Sequence, residues 1–296
     1  MAKKIAVAGA TGNLGNRIVK ALRAQDAEVV ALVRTVAEED KVKALQDLGA
    51  EVAIVDTSSV DDVAKAFTGA ACVVSALQGL HDVIVDTQKI LLEAAIKAGV
   101  PRFIPSDFSA DFTKRPEGEN RNFDLRREFH TTLDKAPIAA TSIFNGSFAA
   151  ILTSNTPLLD FNKKTVGYWD DPDWRVDYTT MDDTAAYTAA AALDAATPRA
   201  LRIASFQLSA RDLRKFTDDV LKTPFELVSL GSRAELAAKN KRDRAAHPEG
   251  ENELYASWQQ GQYLQSMFST HHDSLDNGRY PNLKWTPLQD VIQPRD

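Results

Sequence analysis

The sequence predicts an α/β protein with a doubly wound parallel sheet and a smaller C-terminal α/β lobe. Short β-branched runs alternate with longer helical patterns over the first part of the chain, as in successive βαβ units. Those runs are apolar almost throughout, which is typical of strands buried on both faces. A glycine-rich turn stands between the first run and the first helical pattern, at the edge where such sheets bind ligands.

The individual strands and helices follow from the same alternation. Strands are predicted at 5–8, 29–33, 52–55, 72–75 and 102–104, with helices at 14–25, 38–48, 60–67 and 82–98 between them. A polar, turn-rich segment at 110–122 predicts a surface loop, followed by a helix at 123–135 and a strand at 139–144. Further helices are predicted at 182–195, 210–222, 232–246 and 252–270, and a further strand at 201–205.

The domain organisation is predicted from the absence of a long or flexible linker in the sequence. Residues 1–150 are expected to form the sheet domain. Residues 151–296 are expected to form a smaller, substrate-covering lobe that packs on it and is not an independent domain.

The charge and cysteine content exclude several classes of protein. A formal charge of −6 over 296 residues argues against nucleic acid or an anionic membrane as the main partner. No apolar stretch approaches the roughly 20 residues needed to cross a bilayer, and no N-terminal signal is visible. The single cysteine, Cys72, lies in an apolar run and predicts a buried core residue in a reducing compartment. We therefore expect a cytoplasmic protein, and the sequence leaves its oligomeric state open.

The turn Gly9-Ala10-Thr11-Gly12-Asn13-Leu14-Gly15 follows the first predicted strand. Gly9 permits the tight turn, Gly12 lets the backbone approach a pyrophosphate, and Gly15 lets the helix and strand pack closely. The N-terminus of the following helix offers N–H groups and a favourable dipole to phosphates. The turn therefore predicts a Rossmann-type dinucleotide site, to which Thr11, Asn13 and Leu14 are also assigned.

The end of the second predicted strand distinguishes between the two nicotinamide dinucleotides. NAD sites usually place Asp or Glu there, where the carboxylate accepts hydrogen bonds from the ribose hydroxyls. This strand instead ends Leu32-Val33-Arg34, and the guanidinium fork suits a 2′-phosphate, so NADP(H) is the predicted cofactor. Lys41 and Lys43 on the next helix either add charge to the site or form a solvated helix face, and we favour the second interpretation.

Residues after the third and fourth predicted strands are expected at the same edge of the sheet. Asp56 ends the third strand, where a carboxylate borders an adenine pocket or caps the following helix. Ala76, Leu77 and Gln78 follow the fourth strand and are predicted to line the crevice near the nicotinamide. His81 comes next, either bordering that crevice as a substrate residue or making a polar contact at a helix start.

Five short segments, spread over much of the chain, form an ordered set. They are Gly-Ala-Thr-Gly-Asn-Leu-Gly at 9–15, Leu-Val-Arg at 32–34, Arg-Phe-Ile-Pro-Ser-Asp-Phe-Ser at 102–109, Asn-Gly-Ser-Phe at 145–148 and Asp-Asp-Thr-Ala-Ala-Tyr-Thr at 182–188. Together they resemble the NmrA-like and isoflavone-reductase-like proteins, an atypical short-chain dehydrogenase/reductase group. The resemblance implies a Rossmann domain with a smaller substrate lobe and NADPH as cofactor. It also implies a cofactor role for Pro105, Ser106 and Phe108 and a substrate role for Asn145 and Phe148.

Two residues are candidates for catalysis, and the resemblance indicates the first of them. The reducing members of the group usually carry a lysine on the helix after the Pro-Ser segment, and this chain places Arg126 there. Arginine cannot act as a general base near neutral pH, but it can anchor a ribose or stabilise a developing oxyanion. Asp107 is the second candidate, either as a carboxylate near the nicotinamide or as a turn cap.

Two functions remain open for the sequence. The first is an NADPH-dependent oxidoreductase that transfers hydride to a small aromatic, enone or quinone-type acceptor. The second is a non-catalytic NADP(H) redox sensor of the NmrA type that binds a regulatory protein. Arg126 in place of lysine favours the sensor, whereas the C-terminal lobe, which a substrate would need as a cover, favours the enzyme. No metal is expected, because the adjacent His271 and His272 lack partners at metal-ligand spacing.

Overall fold

The computed structural model describes residues 2–154 and 156–293. The chain divides into two compact units. One, here called the sheet unit, comprises Met1–Phe108, Asn122–Ile143 and Thr184–Leu201. The other, called the second unit, comprises Ser109–Arg121, Phe144–Asp183 and Arg202–Asp296. These units describe compactness only, so the domain boundary expected at residue 150 stays a prediction.

The sheet unit is built on six parallel strands in the order β3-β2-β1-β4-β5-β6. They are β1 (Lys4–Ala8), β2 (Glu28–Arg34), β3 (Glu51–Val55), β4 (Cys72–Ser75), β5 (Arg102–Ile104) and β6 (Ala139–Ala140). The order reverses at β1, which lies between β2 and β4, so the sheet is doubly wound. The predicted α/β class and all five strands of the first part of the chain are confirmed.

Five helices alternate with these strands as the sequence predicts, and a sixth follows later in the chain. They are α1 (Asn13–Arg23), α2 (Glu39–Asp47), α3 (Val60–Phe67), α4 (Gln88–Lys97), α5 (Arg121–Leu133) and α6 (Met181–Leu193). In α1 the apolar stripe Ile18, Val19 and Leu22 is buried, as helical spacing requires. The helix predicted at 82–98 is divided, because Asp82–Thr87 forms a π-helix before α4 begins.

The core of the sheet unit is apolar and contains the cysteine. Phe67, Phe103 and Phe129 are fully buried in one cluster, and the rings of Phe103 and Phe129 lie 6.3 Å apart. Cys72 is fully buried, and burial raises the pKa of its thiol to about 12. The prediction of a core residue rather than a nucleophile is therefore confirmed.

Three local predictions were wrong. The third strand is not buried on both faces: β3 is the edge strand of the six-stranded sheet, next to β2, and Ile54 is 62% exposed. The strand predicted at 139–144 is two strands, β6 and β7 (Ser142–Phe144). The segment 110–122 is exposed only in part, because Phe112 packs edge-on against Phe144 at 5.4 Å and buried Asp111 pairs with Arg202 at 2.7 Å.

The second unit contains several short strands that the sequence did not predict. β8 (Ser147–Phe148), β10 (Val176–Thr179) and β12 (Phe206–Leu208) form one sheet, and β9 (Thr165–Tyr168) pairs with β13 (Glu226–Ser229). The strand predicted at 201–205 is shorter, as β11 (Ala200–Arg202); its first two residues belong to the sheet unit, and it pairs with β7. The helices of the second unit are α7 (Ala210–Asp219), α8 (Arg233–Ala246), α9 (Ser257–Met267) and α10 (Leu288–Val291). Within the described ranges no helix has the length and apolar character needed to cross a membrane.

Candidate functional site

The glycine turn between β1 and α1, here called the glycine cradle, packs closely against neighbouring backbone. Gly9 has φ +79°, and a β-carbon there would lie 2.5 Å from the Ala76 carbonyl oxygen. A β-carbon at Gly15 would overlap the Gly9 carbonyl, whereas one at Gly12 would meet only the Gly9 oxygen, at 3.2 Å. Gly12 also precedes α1 without any side-chain cap. Glycine is thus sterically required at positions 9 and 15. At position 12, the lack of a side chain leaves the backbone at the N-terminus of α1 accessible.

The segment after β4 runs beside this turn, at the point where the strand order reverses. The Ala76 N–H donates to the Ala8 carbonyl at 2.9 Å, which continues the β1–β4 pairing beyond the strand. Leu77 Cδ2 lies 3.3 Å from the position of a β-carbon at Gly9. Gln78 follows and is exposed. Ala76 and Leu77, predicted from strand-end position alone, therefore contact the turn itself.

Arg34 and the neighbouring lysines differ in their surroundings. Arg34 is the last residue of β2, and its exposed guanidinium makes no hydrogen bond or ion pair with the part of the chain that the structure describes. Lys41 pairs with Glu38 at 2.6 Å, and Lys43 pairs with Asp47 at 3.0 Å. Both lysines are thus paired with acidic side chains on or next to α2, as expected for a solvated helix face. The charge of Arg34 is not neutralised in this way.

Asp56 shapes the turn after β3. Its Oδ1 accepts hydrogen bonds from the Ser58 N–H at 2.9 Å and the Ser58 hydroxyl at 2.7 Å. These bonds lower the pKa of the exposed Asp56 carboxyl. The N-cap of α3 is Ser59, whose hydroxyl accepts from the Asp62 N–H, so the helix-capping alternative for Asp56 was wrong.

Ser106 joins three segments at the carboxyl end of β5. Its N–H donates to Gln88 Oε1 at 2.9 Å, and its hydroxyl donates to the Leu77 carbonyl at 2.5 Å. Its carbonyl accepts from Arg126 Nε at 3.0 Å. Ser106 is buried, and its N–H, hydroxyl and carbonyl are all used within the protein. It therefore holds neighbouring segments in place rather than presenting a free hydroxyl.

Gln88 is a functional candidate that the sequence analysis missed. Its side chain is fully buried, and Nε2 donates to the Ile84 carbonyl in the π-helix at 2.7 Å while Oε1 serves Ser106. The signal was a polar residue on an otherwise apolar helix face, four positions after Ile84. The amide connects the π-helix to the loop after β5, and π-helical turns often occur at functional sites.

Asp107 has no exposed surface and lies within a polar network. Its Oδ2 accepts from His130 Nε2 at 2.7 Å and from the Ser142 hydroxyl at 2.6 Å. Burial acts to raise the pKa of Asp107, but His130 and Ser142, assisted by the charge of Arg126, outweigh it and hold that pKa below its ordinary value. Asp107 is thus an ionised carboxylate held by side chains of other elements, and its partner Ser142 had no signal in the sequence.

Arg126 projects from α5 onto the backbone. Besides the bond to Ser106, its Nη1 donates to the Asn122 carbonyl at 2.8 Å. Its Nη2 has no hydrogen-bond partner among the residues described, and the side chain is half-buried. The guanidinium is therefore fixed on two sides and keeps one nitrogen available.

His81 lies between two carboxylates at the start of the π-helix. Its Nε2 is 3.0 Å from Glu128 Oε1, and its Nδ1 is 3.2 Å from Asp86 Oδ2. The hydrogen bond to Glu128 is the main cause that raises the pKa of His81, and Asp86 adds to it. His81 thus makes the polar contact at a helix start that was one of its two interpretations from the sequence. Across the described ranges no group of three or more His, Cys, Asp or Glu side chains is arranged to hold a metal ion.

Asn145 and Phe148, the predicted substrate residues, belong to the second unit. The Asn145 carbonyl accepts from the Thr179 hydroxyl at 2.6 Å, and Phe148 lies in β8 opposite Thr179. The Asn145 side chain is fully buried, and within the described ranges neither of its amide atoms has a hydrogen-bond partner. The structure therefore groups the predicted cofactor residues in one unit and these two in the other.

Comparison with known families identifies the fold and its relatives. The model of the NmrA-like family matches residues 1–218. The chain belongs to the NmrA-like family. Membership confirms the resemblance seen in the five sequence segments.

Relatives of this NmrA-like chain include plant reductases. Pinoresinol reductase 1 of Arabidopsis thaliana is 32% identical over 204 residues, 63% of this chain and 63% of that protein. The bifunctional pinoresinol-lariciresinol reductase of Linum usitatissimum is 30% identical over 198 residues, 62% of this chain and 63% of its own length. The chain thus spans less than two-thirds of the length of these curated relatives.

Solved structures show the same fold. A structure of AtPrR2 with NADP+ and (+)pinoresinol has a TM-score of 0.79 at 24% identity, covering 98% of this chain and 97% of the other. A crystal structure of isoflavone reductase has a TM-score of 0.78 at 20% identity, covering 97% of each chain. They agree with the α/β architecture of the NmrA-like chain.

Proposed function

We propose that this NmrA-like protein is an NADPH-dependent reductase that transfers hydride to a small aromatic, enone or quinone-type acceptor. The observation that carries the proposal is the glycine cradle at the β1–β4 junction, with Arg34 at the end of the neighbouring strand. The names of the relatives, pinoresinol and pinoresinol-lariciresinol reductases, support a reductase of aromatic compounds.

Two features support a dinucleotide at the cradle: backbone at the uncapped N-terminus of α1, and the exposed Arg34 at the end of the neighbouring strand. The backbone at Gly12 and the N-terminus of α1 would receive the pyrophosphate, and Arg34 would pair with the 2′-phosphate. When bound, the cofactor would supply the hydride, so the task of the protein is to position the cofactor and to orient the acceptor. The remaining proposed contacts are Gly9, Thr11, Asn13, Leu14, Gly15, Asp56, Ala76, Leu77, Gln78, Pro105, Ser106 and Phe108.

Arg126 is proposed to stabilise negative charge on an acceptor oxygen. Two of its nitrogens are bound to backbone carbonyls, which fixes the direction of the third. A pre-oriented cation of this kind lowers the energy of a developing oxyanion, and it needs no proton transfer. Asp107 is buried and acts only through its neighbours. His81, Asn145 and Phe148 are proposed to contact the substrate.

The test is NADPH consumption with a panel of quinones, enones, isoflavones and lignans such as pinoresinol. We expect turnover with at least one class, and we expect Arg126→Gln to lower kcat about tenfold or more while NADPH still binds. The matched control is Arg127→Gln on the same helix, since Arg127 pairs with Asp124 at 2.6 Å. Turnover by Arg126→Gln at the wild-type rate would exclude the proposed role of Arg126.

A second function is favoured by one observation. The guanidinium of Arg126, which the resemblance aligns with the lysine of the reducing members, is bound to backbone carbonyls. A group without a transferable proton suits a sensor that binds NADP(H) and a regulatory protein. Tight NADPH binding without turnover on any acceptor of the panel would establish this alternative over the reductase.

A further inference from the structure

A continuous line of polar side chains runs through the sheet unit from Asp107 to the surface. Asp107 accepts from His130 Nε2 at 2.7 Å. The other ring nitrogen, Nδ1, is 3.2 Å from Arg199 Nη2, and Arg199 pairs with Asp134 at 2.8 Å. Ser142 closes a second path, since its hydroxyl donates to Asp107 and accepts from Arg199 Nη1 at 2.6 Å. Arg199 and Asp134 are substantially exposed, whereas the other three residues are buried.

The contacts fix the orientation of the imidazole. A guanidinium nitrogen can only donate, so His130 Nδ1 has to accept from Arg199. In the neutral ring the proton is then on Nε2, and it points at Asp107. The ring is therefore held from both sides in one tautomer, with the hydrogen-bond donor directed at a buried carboxylate.

The carboxylate lies next to the proposed catalytic group. Asp107 directly follows Ser106, whose carbonyl accepts from Arg126 Nε. The charge of Arg126 also contributes to holding the pKa of Asp107 low, so the two groups interact electrostatically. A displacement of Asp107 would move the carbonyl on which Arg126 is fixed. No hydrogen bond joins His130 itself to Arg126 among the contacts described.

We propose that His130 is a positioning residue of the reductase, which with Arg199 holds Asp107 and thereby fixes the loop 105–108 and Arg126. This inference rests on the proposed function. His130 contributes no proton to the acceptor and does not contact it. Its removal should therefore impair the oriented step, measured in kcat, more than the binding of NADPH, measured in KM.

The kinetic test uses His130→Ala with and without added imidazole. We expect kcat to fall about tenfold or more, the KM for NADPH to change less than about twofold, and imidazole to restore part of kcat by filling the vacated space. His130→Gln, which can still direct an amide donor at Asp107, should retain more activity than His130→Ala. His247→Ala is the control, because that exposed ring pairs with Glu249 at 3.0 Å, far from Asp107 in the sequence, and its loss should leave kcat unchanged. A folded His130→Ala variant with wild-type kcat, or one rescued neither by imidazole nor by glutamine, would overturn the proposal.

A second readout does not depend on turnover. Nitrogen NMR should show the neutral ring of His130 as the Nε2–H tautomer, because Nδ1 accepts from Arg199 and Nε2 faces Asp107. Arg199→Gln should weaken that preference while leaving the fold intact. An Nδ1–H tautomer in the wild-type protein would contradict the proposal even if the reductase activity is real. Absence of turnover with the expected tautomer would instead contradict the proposed function alone.

Discussion

Arg34 and Arg126 carry the same charge but differ in what surrounds their guanidinium groups. Arg34 is exposed at a strand end, and no side chain of the described ranges neutralises it. Arg126 is half-buried, and two of its nitrogens are bound to carbonyls. Arg34 is therefore suited to pair with a phosphate of an incoming ligand. Arg126 is suited to stabilise charge at one fixed position.

Replacement of Arg34 tests the cofactor assignment. Arg34→Ala should lower the affinity for NADPH about tenfold or more and leave that for NADH unchanged, because a charge-assisted hydrogen bond contributes about 1.5–3 kcal/mol. Fluorescence titration of both cofactors measures the ratio. Lys43→Ala is the control, since Lys43 pairs with Asp47. An unchanged NADPH:NADH preference in Arg34→Ala would remove the argument for the 2′-phosphate.

His81 should titrate above the ordinary histidine pKa, because Glu128 and Asp86 both stabilise its protonated ring. The two carboxylates stabilise the folded protein through the protonated His81. This stabilisation is fully present below the pKa of His81 in the unfolded chain, about 6.5, and is lost as the pH rises through its raised pKa in the folded protein. Proton NMR should show the pKa falling in Glu128→Gln, and falling less in Asp86→Asn. The energetic effect should be small, since the side chain is 52% exposed. A pKa of His81 that is insensitive to Glu128→Gln would be inconsistent with the observed contact.

At the level of elements, the β1–α1 turn uses each of its glycines for a different reason. Gly9 needs a positive φ, Gly15 needs close contact between helix and strand, and Gly12 needs neither. Substitution can therefore separate the folding requirement from the binding requirement.

Gly12→Ala should fold with a change in unfolding free energy within about 1 kcal/mol, yet bind NADPH at least about tenfold more weakly, because its methyl group would occupy the approach of the pyrophosphate. Gly15→Ala should lose about 2 kcal/mol or more, because its methyl group overlaps the Gly9 carbonyl. Urea denaturation and cofactor fluorescence measure the two effects. Gly278→Ala is the control, because a β-carbon there has no neighbour within 4 Å. Equal affinity in Gly12→Ala would argue against a phosphate at this turn.

The π-helix depends on Gln88 for its connection to the loop after β5. Gln88→Leu leaves the Ser106 N–H and the Ile84 carbonyl without this partner, so it should lower the unfolding free energy by about 2 kcal/mol and reduce turnover. Gln46→Leu, on an exposed position of α2, should change neither quantity. Denaturant unfolding with a parallel kcat measurement tests this, and a Gln88→Leu protein as stable as the wild type would show that the amide is dispensable.

For the whole molecule, the sheet unit was far more predictable from sequence than the second unit. Buried parallel strands appear in the sequence as continuous apolar runs, so β1, β2, β4 and β5 could be predicted, and the glycine turn led to the predicted cofactor site. Short strands such as β8 and β12 carry no such run, since two or three residues give no periodicity.

The polar networks were beyond sequence reasoning for a different reason. Ser142 and Arg199 meet Asp107 and His130 only after distant segments have folded together, and no local pattern signals that meeting. Gln88 could have been noticed as an amide on an apolar helix face, but its partner Ser106 could not. The fold and the glycine turn can thus be predicted from local sequence patterns. The partners of Asp107 and His130 cannot, because they depend on tertiary contacts.

The proposed function requires that the protein transfers a hydride and does not only bind the cofactor. This transfer is tested by incubating the protein with an enone acceptor, whose β-carbon forms a C–D bond that does not exchange with water, and with NADPH labelled with deuterium at C4, the two stereoisomers in separate reactions. The product mass should then be measured. Because a protein-held cofactor presents one face, we expect deuterium in the product from one stereoisomer and not from the other. Tight binding of both stereoisomers with no deuterium in any product would contradict the claim.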